Sequence, residues 1–170
     1  MDRKVLEKAL FSEKANVFVV LDGASVEGLR MNLYEMRPPY YCLFRGELEP
    51  DMAEVAPYMV GLIAGTPFTE WVLDQHFGKH WGIFARTRQS IIEMRKHFRS
   101  LITVYTEEGN PKLFRYYDPR VFRSFLPTCN GGELKEFFGS VSEYIAEIPG
   151  GDSMTMYKLE DGKLIEKDLE

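Results

Sequence analysis

Sulfur and imidazole are scarce in this sequence. Of 170 residues two are cysteine, Cys42 and Cys129. They form no C-x-x-C, which excludes a thioredoxin-type redox pair and leaves two reduced, structural thiols. The three histidines do not assemble a metal motif. His76 and His80 stand four apart, but Gly78 between them ends a helix, His97 is remote in sequence, and no H-E-x-x-H occurs. No metal and no cofactor are expected. No run approaches the ~18 apolar residues of a membrane span. The opening MDRKVLEKALF is charged and has no apolar signal core, so a cytoplasmic protein is expected. Phosphate loops need G-K-[ST], which is absent, and neither G-x-S-x-G nor a cysteine nucleophile motif is present. Asp22, Glu70, Asp74 and Asp118 are the carboxylates available for acid–base work. Helix-start and helix-face positions account for three of the four, so no enzyme is expected, with a small carboxylate-dependent hydrolase as an alternative.

What is present is a core. A hydrophobic fraction of 45% in a chain of this length buries about 70% of the unfolded surface as one domain. Net charge is −5, unevenly spread. Between Arg86 and Arg123 nine Lys and Arg face four acids, a balance of +5 that leaves −10 for the rest. Such asymmetry fits an acidic partner, nucleic acid, or ion pairs closed within the fold.

Apolar spacing predicts a short amphipathic helix within residues 1–16. Val17 to Leu21 is apolar throughout and reads as a strand buried on both faces. Ser25 can open a helix to about Met36, ended by Pro38 and Pro39. Tyr40 to Phe44 and Pro57 to Ile63 read as strands, with an acidic loop from Gly46 to Pro50. Thr66 and Pro67 open a helix that Gly78 terminates. Trp81 to Arg86 is the fourth strand, and Ser90 with Glu93 makes a capping box for the next helix.

Leu101 to Tyr105 and Lys112 to Tyr117 read as two strands of a central hairpin. Asp118 and Pro119 then start a helix that Pro127 stops. A short helix follows over Glu133 to Phe138. Val141 to Ile148 is helix or strand, with the spacing of Val141, Tyr144, Ile145 and Ile148 favouring a helix. Pro149-Gly150-Gly151 divides the chain into a domain at 1–148 and an appendage at 149–170, in which Asp161-Gly162 turns a β-hairpin. The expected fold is α+β: a mixed, largely antiparallel sheet with helices packed on it. Phe114, Tyr116, Tyr117, Phe122 and Phe125 interleave with Arg115, Arg120 and Arg123. A single-strand nucleic-acid binder uses that pattern, as does a core face backed by ion pairs.

The words FRYYDPRVFRSFLP (Phe114 to Pro127) and WGIFARTRQSIIEMRKHFRSLITV (Trp81 to Val104) carry a resemblance. With LDGA at Leu21, LFRGE at Leu43, APYMVGL at Ala56, PFTEWVL at Pro67 and FFG at Phe137, the sequence resembles, collinearly from about 17 to 147, the effector chaperones, or adaptors, of bacterial type VI secretion. The resemblance implies a non-enzymatic protein that binds a toxic effector and promotes its loading onto the spike protein VgrG. The motif-matched positions Asp22, Trp71, Trp81, Arg86, Arg115, Tyr117, Asp118, Arg120 and Arg123 are the candidate partner-binding residues. Arg115, Arg120 and Arg123 are expected to present a basic surface to an acidic segment of the effector. Many members of that family continue into a further C-terminal lobe where this chain has a short hairpin. A minimal adaptor of this kind would complete its surface with the effector or by self-association through the hairpin's edge.

Overall fold

In the computed structural model, which describes residues 3–169, the sheet grows outward from its most apolar strand. β1 (Asn16–Asp22) is buried from Val17 onward. It pairs antiparallel on one side with β3 (Pro57–Leu62) and on the other with β4 (Gly82–Thr87). β2 (Tyr40–Cys42) adds to β3. β7 (Val141–Glu147), β8 (Met154–Glu160) and β9 (Lys163–Leu169) add in turn to β4. The order is β2-β3-β1-β4-β7-β8-β9, and every pairing is antiparallel.

In the central strands β1, β3 and β4, period-two alternation assigns the buried apolar residues to one of two cores. Val17, Val19 and Leu21 face α1 (Arg3–Phe11), α2 (Leu29–Met36) and α4 (Pro67–Gln75), which bury Leu6, Leu10, Leu29, Leu33, Phe68 and Val72 there. Phe18 and Val20 face α5 (Ile91–Leu101), α6 (Pro119–Phe125) and α7 (Gly131–Phe138). That second core is aromatic. Phe122 lies 5.4 Å from Tyr144 and 5.1 Å from Tyr157, both edge-on, and such pairs add about 0.5–1.5 kcal/mol beyond area burial. The buried hydroxyls are satisfied, Tyr116 donating to Phe98 O at 3.1 Å and Tyr144 to Phe137 O at 3.2 Å. The protein is thus a mixed α+β domain, as expected, with helices on both faces of one antiparallel sheet.

Local signals hold where they are strongest. Ser90 and Glu93 form both bonds of the capping box, and the Asp118 carboxylate accepts from the Arg120 amide ahead of Pro119. Asn130 and Glu133 build a second capping box at α7, and Asp161 and Gly162 both take positive φ (49° and 74°) in the β8–β9 turn, as a type I′ hairpin needs.

Other expectations are corrected. Helix α2 starts at Leu29, because Gly28 turns left-handed (φ 69°) and the Ser25 hydroxyl donates to Asp22 instead of capping. Thr66 donates to Ile63 O and does not cap α4 through its side chain. The acidic loop runs into a further helix, α3 (Pro50–Val55). The hairpin over 101–117 shrinks to β5 (Thr103–Tyr105) and β6 (Pro111–Leu113), an exposed ribbon outside the main sheet. Leu101 belongs to α5, and the neighbouring Tyr116 and Tyr117 lie outside any strand, both rings packed in the same core. The segment 141–148 is strand β7, since pairing with β4 and β8 on both sides overrides a helical spacing. The C-terminal hairpin continues the main sheet through the β7–β8 pairing. Met1 and Asp2, at the start of the helix expected within 1–16, and Glu170, at the acidic end of the hairpin, lie outside the described residues.

Candidate functional site

Eight of the nine candidate residues gather around one end of the sheet, where β1 and β7 finish and β4 begins. Asp22, the last residue of β1, is almost fully buried (1% exposed). Its amide donates to Trp81 O at 2.8 Å. One carboxylate oxygen accepts from the Ala24 amide at 3.2 Å; the other accepts from Ser25 Oγ at 2.8 Å and pairs with the Arg115 guanidinium. Tyr117 lies beside this pair. Burial pushes its phenol up to about 12, with the negative charge of Asp22 adding and Arg115 opposing.

Asp118 closes the other side of the same corner. Arg120 donates to it three times, from its amide at 2.9 Å, Nε at 3.0 Å and Nη2 at 2.7 Å. Burial pushes the Asp118 carboxyl up, but the bonds from Arg120 outweigh that and leave it below its ordinary value. Arg123 donates to the main-chain carbonyl of Glu147. The guanidiniums expected to form a free basic surface are therefore engaged within the fold: two on buried carboxylates and one on a carbonyl.

Trp81 O anchors Asp22, while the Trp81 ring stacks on Trp71 at 4.9 Å, with Lys79 5.0 Å above its centre. Arg86 stands apart. It lies near the end of β4 under α1, 3% exposed, donating to Ala9 O at 3.0 Å and Glu143 at 2.5 Å and pairing with Glu13 at 2.9 Å. Lys158 takes the other oxygen of Glu143 at 2.5 Å.

Sequence reasoning missed Glu147. This residue, 1% exposed, ends β7 and accepts from the Gly78 amide at 3.0 Å and the His80 amide at 2.8 Å, with the His80 imidazole on the same oxygen. Its signal was masked by the helical spacing of 141–148. Read with period two, Glu143, Ile145 and Glu147 share one face. His76 is separated from His80 altogether: it is 2% exposed and lies edge-on to Phe84 at 5.1 Å. Among the described residues no group of three His, Cys, Asp or Glu converges to hold a metal.

The corner ties distant chain segments together, and Gly23 lets it close. A Cβ there would lie 2.4 Å from Ala56 O and 2.6 Å from Glu54 O, both main-chain atoms that cannot swing aside. Gly23→Ala is expected to cost about 2 kcal/mol of stability, measured by urea unfolding; a loss under about 0.5 kcal/mol would show that the corner tolerates a side chain.

Fold and site define a mixed α+β domain whose buried carboxylates are matched one by one with cations and amides. A family model described as Domain of unknown function (DUF4123) matches residues 17–136, from β1 into α7, and the chain belongs to that family. No curated protein and no solved structure matches it.

Proposed function

We propose that this protein is a cytoplasmic type VI secretion adaptor, which binds a toxic effector and promotes its loading onto the VgrG spike without catalysis. The sequence words quoted above support the secretion context. The observation that carries the binding role is a group of exposed apolar side chains on α2 and β2, Met31, Tyr34 and Tyr40, from 42% to 72% exposed. They line a groove of about 700 Å³ with Leu33 and Tyr58, and Glu54 of α3 lines it as well. Single exposed apolar residues are ordinary on a protein surface, but a group around one concavity marks an interaction site. Tyr and Met also suit that use, as rigid anchor and adaptable filler.

The test is a tagged pull-down from the native host at moderate salt with nuclease, the retained proteins being identified by mass. Recovery of a large toxin-like protein together with VgrG is the expected result. Recovery of neither, with nuclease-sensitive material instead, would overturn it in favour of nucleic-acid binding. The double variant Met31→Asp/Tyr34→Asp is expected to lower affinity for the recovered partner at least about tenfold, a change of about 1.4 kcal/mol. Its melting temperature should stay within a few degrees of the parent, since both side chains are exposed.

A further inference from the structure

At the end of the sheet opposite the Asp22 corner, β1 begins and β3 ends beside the start of α5. An apolar groove of about 450 Å³ opens there, lined by Phe11, Val17, Pro39, Leu62, Ile63 and Ile91. Ile63 is 58% exposed. Ala15 and Asn16 line this groove and also an adjoining open pocket whose other walls are Lys14 and Arg88. Among the described residues no carboxylate lines either cavity.

The two cations differ from the arginines described above. Arg86, Arg115 and Arg120 sit on carboxylates and Arg99 donates to the carbonyls of Cys42 and Phe44. Lys14 and Arg88 are exposed and make no ion pair with any described residue. The nearby acids are already engaged: Glu13 pairs with Arg86, and Glu93 accepts from Ser90 in the capping box. The Asn16 side-chain amide donates to Gln89 O at 2.9 Å. An apolar trough thus runs into a pocket with two positive charges that no described residue pairs.

We propose that this groove binds an acidic amphipathic segment of a partner protein, apolar residues seated on Leu62, Ile63 and Ile91 and Asp or Glu side chains reaching Lys14 and Arg88. Charge complementarity selects this occupant. A basic amphipathic segment would bury the same apolar surface but set like charges together, and a neutral one would leave the cations unanswered. That the partner is the effector rests on the adaptor reading; the chemistry of the segment does not.

The test uses the full chain and two synthetic peptides of about eighteen residues with one Leu-rich helical face, the polar face being Glu in one and Lys in the other. Titrations are followed by amide shifts and by affinity at low and moderate salt. Binding of the Glu peptide, with shifts centred on Ala15, Asn16, Leu62, Ile63 and Ile91, is expected, with the Lys peptide at least about tenfold weaker. Lys14→Glu/Arg88→Glu should reverse that preference, and Ile63→Asp should weaken both peptides; all three positions are exposed, and unchanged melting confirms the fold. Equal binding of the two peptides, shifts mapped elsewhere, or an unchanged preference in the reversed variant would overturn the proposal. Sodium dodecanoate binding at the groove where the Glu peptide does not would overturn it in favour of a fatty-acid site, and concentration-dependent dimerisation through the same amides in favour of a second copy. If the reversed variant still recovers effector and VgrG from the host, the adaptor reading stands and the groove falls. If the parent recovers neither while the Glu peptide binds as expected, the reverse holds.

Discussion

Arg86→Ala is expected to lower the unfolding free energy by about 3–5 kcal/mol, the usual consequence of removing one member of a buried ion pair. Arg86 and Glu143 are both nearly excluded from water, with side chains 4% and 6% exposed. Their mutual attraction offsets a desolvation cost that each would otherwise bear alone. Removing the guanidinium also leaves Ala9 O, near the end of α1, without its donor and Glu13 without its cation. Lys158 still holds one oxygen of Glu143, which keeps the loss from exceeding this range. The double variant Arg86→Met/Glu143→Leu is expected to recover most of the stability, because an apolar pair of similar volume needs no desolvation. Urea unfolding at neutral pH reads both; a single variant costing under about 1 kcal/mol would show that water reaches this pair.

The second large effect is a loss of stability in mild acid that His76 carries. Burial, with a smaller contribution from the Lys79 charge, lowers its imidazole from 6.5 to about 4, so the folded protein holds it neutral. The unfolded chain takes up a proton below about 6.5 and the folded protein does not until about 4. Stability is therefore complete above pH 6.5 and falls as pH drops through that window. The shift corresponds to a loss on the order of 3 kcal/mol. His97, lowered by burial against a bond to Phe137 O, acts in the same direction. Two carboxylates held low by their partners do not mimic the upper part of this slope. Glu93 and Asp118 lie below ordinary values of 4.5 and 3.8, so their contribution is lost only at lower pH. His76→Phe is expected to flatten the profile between pH 6.5 and 4.5. The ring already packs against Phe77 and Phe84, and neither imidazole nitrogen has a hydrogen-bond partner among the described residues. Parallel pH profiles for parent and variant would sink the assignment.

Both predictions concern residues whose roles sequence reading assigned differently. A shared sequence word puts Arg86 among the candidate partner-binding residues; its strand position puts the side chain under α1. The spacing of His76 and His80 resembles that of a metal pair. The end of α4 at Gln75 sends one ring into the core and the other onto Glu147.

Elements follow directly from the sequence where their signals are contiguous. The apolar runs of β1, β3 and β4, the Ser90–Glu93 box, the Asp118-Pro119 corner and the Asp161-Gly162 turn were legible because each depends on residues within a few positions of one another. Tertiary structure alone decided the rest. Strand β7 is a strand because β4 and β8 supply hydrogen bonds on both sides, which no local spacing records. The pairing of Asp22 with Arg115 spans 93 positions, so the neutralisation of that arginine exists only once the fold has closed. Desolvation settles the matter physically: a buried carboxylate must find a cation or amides wherever the fold provides them. The cations left over, Lys14 and Arg88 among them, are those that no buried carboxylate reaches.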